Sequence, residues 1–189
     1  MLIKSILNRV QTHSGFVYGA AHWRHFRGRT VLEIQIRPRR ASRPICSGCG
    51  QRGPGYDVLA QRRFEFVPLW GIAVFFLYAM RRVDCQRCGV KVERVPWAEG
   101  KNHLTTTYGW FLSQWARRLS WKQVAEVFNT SWDNVFRSVK MAVAWGLTHR
   151  DLSTVTAIGI DEIARRKGHK YVTLVYQICW DFFRLNRSN

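Results

Sequence analysis

Between Thr30 and Arg37 apolar and polar residues alternate, with Leu32, Ile34 and Ile36 on one face and Glu33, Gln35 and Arg37 on the other. That period of two predicts a half-buried strand, which Pro38 ends. Arg62–Val67 and Ile72–Val83 read as two more strands around a turn at Pro68–Gly71. The apolar run Leu69–Met80 is rich in β-branched and aromatic residues, and at about a dozen residues it falls short of the roughly 20 that a bilayer span needs. It predicts a buried strand rather than a membrane helix.

From Thr105 the period becomes helical. Tyr108, Phe111, Leu112, Trp115 and Leu119 mark one face of a first helix. Trp121, Val124, Val127 and Phe128 mark a second, with Ser120 as its N-cap. A third runs from near Ser131 to about Trp145, with Val135, Val139 and Ala142 inward. At the N-terminus, Leu2, Ile3, Ile6, Leu7 and Val10 predict a short amphipathic helix that faces either the core or a second subunit. Near the other end, Ala157–Ala164 and Tyr171–Ile178 are strands joined by a basic turn at Arg165–Gly168, a β-hairpin.

Within Trp121–Lys140, small Ala125 stands where two helices cross, Asn129 where a left-handed φ is needed, and Val135 six residues on. This is the layout of a helix-turn-helix, whose last helix enters the major groove, although a plain three-helix bundle shares the periodicity. Charge favours DNA docking: thirty Lys and Arg against twelve Asp and Glu give +18, which calls for an anionic partner. The groove side would carry Asn134, Arg137 and Lys140. Asn and Arg suit base edges, whereas Lys140, Lys122, Arg117 and Arg118 suit phosphates. Asp133 complements the helix dipole. The linker with Arg39, Arg40 and Arg43 is either a solvated loop or a further phosphate contact. Nine Trp and eleven Phe indicate a packed core, not a disordered cationic tail.

Two Cys-x-x-Cys pairs, Cys46/Cys49 and Cys85/Cys88, are separated by 35 residues. Tetrahedral Zn²⁺ takes four thiolates, and two such hooks on β-hairpins supply them as a zinc ribbon. Gly50 and Gly89 each follow a pair, where the knuckle turns its amides toward sulfur. The rival readings are disulfides or a thiol-redox pair. An N-terminus broken by Lys4 and Arg9 does not read as a secretory signal, so a reducing, cytoplasmic setting is expected and metal is favoured. Cys179 reads as a spare buried thiol. In the C-terminal hairpin Asp161 and Glu162 point to opposite faces, so they cannot share one ion. Asp161 is the better site residue, because Gly159 and Ile163 leave room on its side.

In this order the pieces resemble the insertion-sequence transposases of the IS-L-three family. The resemblance rests on Arg37-Pro-Arg-Arg, Cys46-Ser-Gly-Cys49-Gly, Arg81-Arg-Val-Asp-Cys85-Gln-Arg-Cys88, Val92-Glu-Arg-Val-Pro-Trp97-Ala-Glu-Gly100, the helix-turn-helix, Ile158-Gly-Ile-Asp161-Glu-Ile-Ala and Lys167-Gly-His-Lys-Tyr-Val-Thr-Leu-Val-Tyr-Gln177. It implies a zinc ribbon and a helix-turn-helix that bind the terminal inverted repeats of double-stranded DNA, then a ribonuclease-H-like domain with Mg²⁺ on a DDE carboxylate triad. Asp161 would be the first of the three. The matching stretch stops at Gln177, and Asp181 lies beyond it, so the expectation is a truncated transposase without strand transfer of its own, since two-metal chemistry needs several carboxylates.

The expected architecture is α+β: an N-terminal helix and strand (1–40), a zinc ribbon (41–104) that unfolds on chelation, a helix-turn-helix (105–150) and the start of a ribonuclease-H-like domain (151–189). A homo-oligomer is compatible with it. The alternatives are a zinc-ribbon transcriptional regulator or repressor of transposition, and a nuclease whose missing ligands come from another chain.

Overall fold

A computed structural model describes residues 3–166 and 170–178. Leu2, the tip of the basic turn at 167–169, Cys179 and the tail with Trp180, Asp181, Phe182, Phe183 and Leu185 lie outside the described residues. The fold is mixed α and β, with four helices and seven strands among the described residues, and it divides into two units at residues 144/145. The first unit begins with α1 (Ile3–Val10), β1 (Phe16–Phe26), β2 (Arg29–Pro38), β3 (Gly55–Leu69), β4 (Ile72–Cys85) and β5 (Gly89–Val92). It continues with α2 (Thr106–Trp115), α3 (Trp121–Phe128) and the larger part of α4 (Trp132–Thr148).

One sheet carries the strands in the order β1-β2-β4-β3, with β5 added to β4. β2 and β4 run parallel, from Leu32 opposite Val74 to Gln35 opposite Leu77, so the sheet crosses the boundary drawn at residue 40. Residues 1–40 are therefore an integral part of it. β2 is paired along both edges, by β1 and β4, and side chains on both of its faces are buried. The half-buried strand read from its alternation is corrected: Val31 and Glu33 are buried along with Leu32, Ile34 and Ile36. Glu33 sits inside because the Arg63 Nε–H donates to its carboxylate at 2.7 Å, satisfying a charge that would otherwise be costly to bury. β3 and β4 also extend beyond the strands expected there, because they form a long twisted ribbon with register shifts near Val58 and Leu69.

The core on one side of the sheet is aromatic. Trp97 is fully buried at its hub, with ring centroids 4.8 Å from Phe16, 5.2 Å from Tyr78 and 5.2 Å from His13. Leu7 and Ile3 of α1 pack on this same core, whereas Val10, expected on the same face, is 70% exposed.

The helices pack around Leu104, Tyr108, Leu112, Val124, Ala125 and Val135. α2 is anchored to β3: the Thr105 N–H and hydroxyl both donate to the Glu65 carbonyl at 2.9 Å, and the Thr105 oxygen caps the helix by accepting from the Tyr108 N–H. Ser120 caps α3 in a capping box with Gln123. Asn129 closes that helix at φ 58°, the left-handed turn its position requires. Val127, expected inward, is 63% exposed, since it lies roughly 100° around the helix from Phe128.

The second unit holds the end of α4 and an antiparallel hairpin, β6 (Ile158–Arg166) and β7 (Lys170–Gln177). Ile158, Ile160, Ile163, Val172, Leu174 and Val175 of this hairpin are all exposed.

Candidate metal centre and nucleic-acid interface

β4 and β5 meet at a tight turn that carries Cys85 and Cys88, with Cys85 opposite Gly89 in the ladder. The other pair is folded against it. Cys46 forms a bridge to Glu93, while the Arg94 N–H donates to the Ile45 carbonyl at 2.7 Å and the Ser47 N–H to the Val92 carbonyl at 3.3 Å. Gly50 and Gly89 adopt φ of 73° and 67°, as knuckle turns demand. Gly48 is needed for space: a Cβ there would lie 3.1 Å from the Cys88 sulfur.

The four sulfurs lie within 4.8 Å of one another, with Cys49 and Cys85 Sγ 3.5 Å apart. Tetrahedral Zn–S bonds of about 2.3 Å set sulfur separations of about 3.8 Å, so the spacing fits one such ion. The four thiols are free, and 3.5 Å is far beyond the roughly 2.05 Å of an S–S bond. Backbone amides also point the right way. The Gly48 N–H lies 3.4 Å from the Cys46 sulfur, and a hydrogen bond from the Cys49 amide leads the causes that lower the Cys46 pKa to about 7. Cys88 is pushed up to about 12, chiefly by its hydrogen bond with Cys49. Crowded thiols thus share protons unequally, and a divalent cation would replace all of those protons. The cluster could hold Zn²⁺; among the described residues no other group of His, Cys, Asp or Glu is placed to do so.

Behind the cluster lies a buried polar network. The Glu93 carboxylate accepts from the Tyr78 hydroxyl at 2.5 Å, from the Arg81 N–H at 2.8 Å and from the Arg81 Nε–H at 2.9 Å. Arg81 also donates to the Ser42 carbonyl at 2.8 Å, fixing the segment that leads from the arginine linker to Cys46. Arg43, with Arg52 and Arg94, lines a cleft of about 390 Å³ over this network. Arg39 and Arg40 are exposed beside it, and the Arg39 N–H is held by the Gly15 carbonyl.

The helical candidates are arranged less freely than their spacing suggested. Asn134 is half-buried and its amide donates to the Thr130 hydroxyl at 2.9 Å, so it has an internal partner. Arg137 pairs with Asp133 at 2.7 Å and Lys122 with Glu126 at 4.0 Å. Lys140, Arg117 and Arg118 are exposed. In the second unit Asp161 is exposed opposite Leu174, its carboxylate accepting from the Glu162 N–H. The room expected beside Gly159 is filled: the Tyr176 ring lies where a Cβ on Gly159 would be, at 2.6 Å. The network around Glu93 and the arginines of the β1–β2 turn were missed from sequence. Gly28, a residue that tolerates the positive φ of a tight turn, was the available clue to that turn.

Over 186 residues the chain is 26% identical to the transposase for insertion sequence element IS1001 of Bordetella parapertussis, a match that spans 95% of this chain and 45% of that protein. Over 147 residues it is 33% identical to the transposase for insertion sequence element IS1557 of Mycobacterium tuberculosis, in two strains, covering 75% of this chain and 32% of the relative. This chain is similar to insertion-sequence transposases. It spans less than half the length of the relatives it matches. No family model matches it, and no solved structure does. No helix among the described residues is long and apolar enough to cross a membrane.

Proposed function

We propose that this chain is a DNA-recognising portion of a DDE transposase, in which a zinc-stabilised sheet and a helix-turn-helix together bind the terminal inverted repeats of an insertion element. The observation that carries this reading is the coincidence of transposase similarity along 95% of the chain with a net charge of +18 and a four-thiol cluster. The capped α3, the left-handed Asn129 and the helix α4 that follows support a helix-turn-helix. On this reading α4 presents Arg137 to base edges in the groove, and Lys140, Arg117, Arg118, Lys122, Arg39, Arg40 and Arg43 contact phosphates. Asn134 reads a base only by giving up Thr130.

We further propose that these residues do not perform strand transfer alone. Among the described residues Asp161 belongs to no group of three or more side chains placed to hold an ion, and Mg²⁺ chemistry on phosphodiesters requires a clamp of several. With Mg²⁺ or Mn²⁺ and duplex ends, wild type and Asp161→Ala should give the same absence of nicking. Nicking that depends on Asp161 would overturn this part.

Binding is tested by fluorescence anisotropy on a labelled duplex across a salt series. Affinity should fall steeply, with a log–log slope of about −0.9 per phosphate contact, and Lys140→Ala should reduce that slope by about 1. A flat titration would remove the DNA-binding reading.

A further inference from the structure

Two hairpin turns of the sheet are built alike and carry unusual residues. β1 and β2 are joined by Arg27-Gly28, between the paired Phe26 and Arg29, and β3 and β4 by Trp70-Gly71, between the paired Leu69 and Ile72. Both central residues of each turn have positive φ: 52° and 74° in the first, 51° and 80° in the second. This is the two-residue turn that favours Asn, Asp or Gly at its first position, because other side chains meet a steric penalty there. Arginine and tryptophan stand there instead. Trp70 is 89% exposed, so its indole contributes almost nothing to the core.

Because β2 and β4 are parallel neighbours with Leu32 opposite Val74, the two turns emerge side by side at one end of the sheet. The start of the last helix lies at that same end. Arg29 and Gly71 line one cleft together with Asn129, and Arg27, Arg29 and Asn134 line a wider one of about 690 Å³. Glu65 on the cleft floor has its pKa raised by burial, with Arg27 opposing that shift.

We propose that the paired hairpin tips form a second DNA-contacting element beside α4, with Arg27 and Arg29 on phosphates and Trp70 set as a wedge against sugars and bases in the adjacent minor groove. The inference rests on α4 docking to duplex DNA, as proposed above. Its distinguishing mark is a trade against the fold. The tips keep residues that disfavour their own turns, and those residues converge where a duplex on α4 would pass. Apolar wedges flanked by cations are a common way of holding a minor groove.

The test uses the full chain loaded with Zn²⁺ and a fluorescein-labelled, mixed-sequence duplex three helical turns long. Trp70→Asn and Arg27→Asn, each placing a residue that tolerates positive φ, should melt at or above the wild-type temperature. Trp70→Asn should nevertheless bind about tenfold more weakly, the scale expected for losing one aromatic contact to a base. The double variant Arg27→Asn/Arg29→Gln should reduce the log–log salt slope by about 2. Wild-type affinity in the tip variants, alongside weakened binding by Lys140→Ala, would overturn this inference and leave the role of α4 standing. Tip variants that melt clearly lower would also overturn it, because Trp70 and Arg27 would then serve the fold. Absence of salt-dependent binding by the wild-type chain would remove both readings together.

Discussion

Two buried polar residues in the first unit respond to perturbation in opposite ways. Glu93 is enclosed and satisfied by Tyr78 and Arg81, so Glu93→Ala would leave the largely buried Arg81 guanidinium with the Ser42 carbonyl but no counter-charge. The expected cost is about 3–5 kcal/mol in urea unfolding, as for other broken buried pairs. Glu93→Gln should cost less, because its amide oxygen still accepts from Tyr78. His13 is buried against Tyr18, Phe76 and Trp97, its Nε2 has no hydrogen-bond partner, and burial lowers its pKa from 6.5 to about 4. Its stabilising contribution is complete above pH 6.5. As pH falls from there to about 4 the unfolded chain binds a proton that the native chain refuses, and roughly 2 kcal/mol is lost. His13→Phe should flatten the stability profile between pH 6.5 and 5; an unchanged slope there would show that His13 binds protons equally in the folded and unfolded chain.

At the scale of elements, α3 is short enough for its caps to matter. Eight residues make too few intrahelical bonds to stand alone, so the Ser120–Gln123 box and the Asn129 closure set its ends. Ser120→Ala should lower stability by about 1 kcal/mol and weaken DNA binding through disorder in the turn before α4, checked by thermal melting and anisotropy on the same samples. Elements governed by local chemistry were legible in the sequence. The helical stripe from Tyr108 to Leu112, the Ser120 cap, the left-handed Asn129 and the glycines after each cysteine pair all follow from rules acting over a few residues. The parallel pairing of β2 with β4 was not legible. It joins segments some forty residues apart, and no local pattern encodes a partner at that separation. Glu33 illustrates the consequence: alternation alone placed it in solvent, and only the arrival of Arg63 from β3 makes its burial tolerable. For the candidate site, spacing brought the four cysteines together correctly, whereas the internal partners of Asn134 and Arg137 depended on rotamers that periodicity does not fix.

At the scale of the whole first unit, the four-cysteine cluster and the aromatic core lie in different parts of one sheet. None of the four cysteines belongs to the core around Trp97; they form a separate small cluster with Val83. β1 pairs with β2, and β2 with β4, without passing through either knuckle. If Zn²⁺ fills the cluster, as proposed, its removal should therefore not unfold residues 41–104 as a block, the outcome expected for a free-standing ribbon. The free energy of a structural zinc site, ~10 kcal/mol or more, acts where the metal closes the chain, on the loop from Pro44 to Gly53 and on the β4–β5 turn. Hydrogen exchange before and after chelation distinguishes the cases. Amides of Cys46, Gly50, Gly53 and Asp84, bonded only within the knuckle region, should lose protection, while Leu32–Gln35 and Val74–Leu77 keep theirs. Because Arg81 joins the knuckle segment to Glu93 through the Ser42 carbonyl, the linker with Arg39, Arg40 and Arg43 should loosen as well, and the salt slope of DNA binding should fall with it. Loss of protection throughout the sheet on chelation would show instead that the metal holds the entire unit together, and that the aromatic core is insufficient without it.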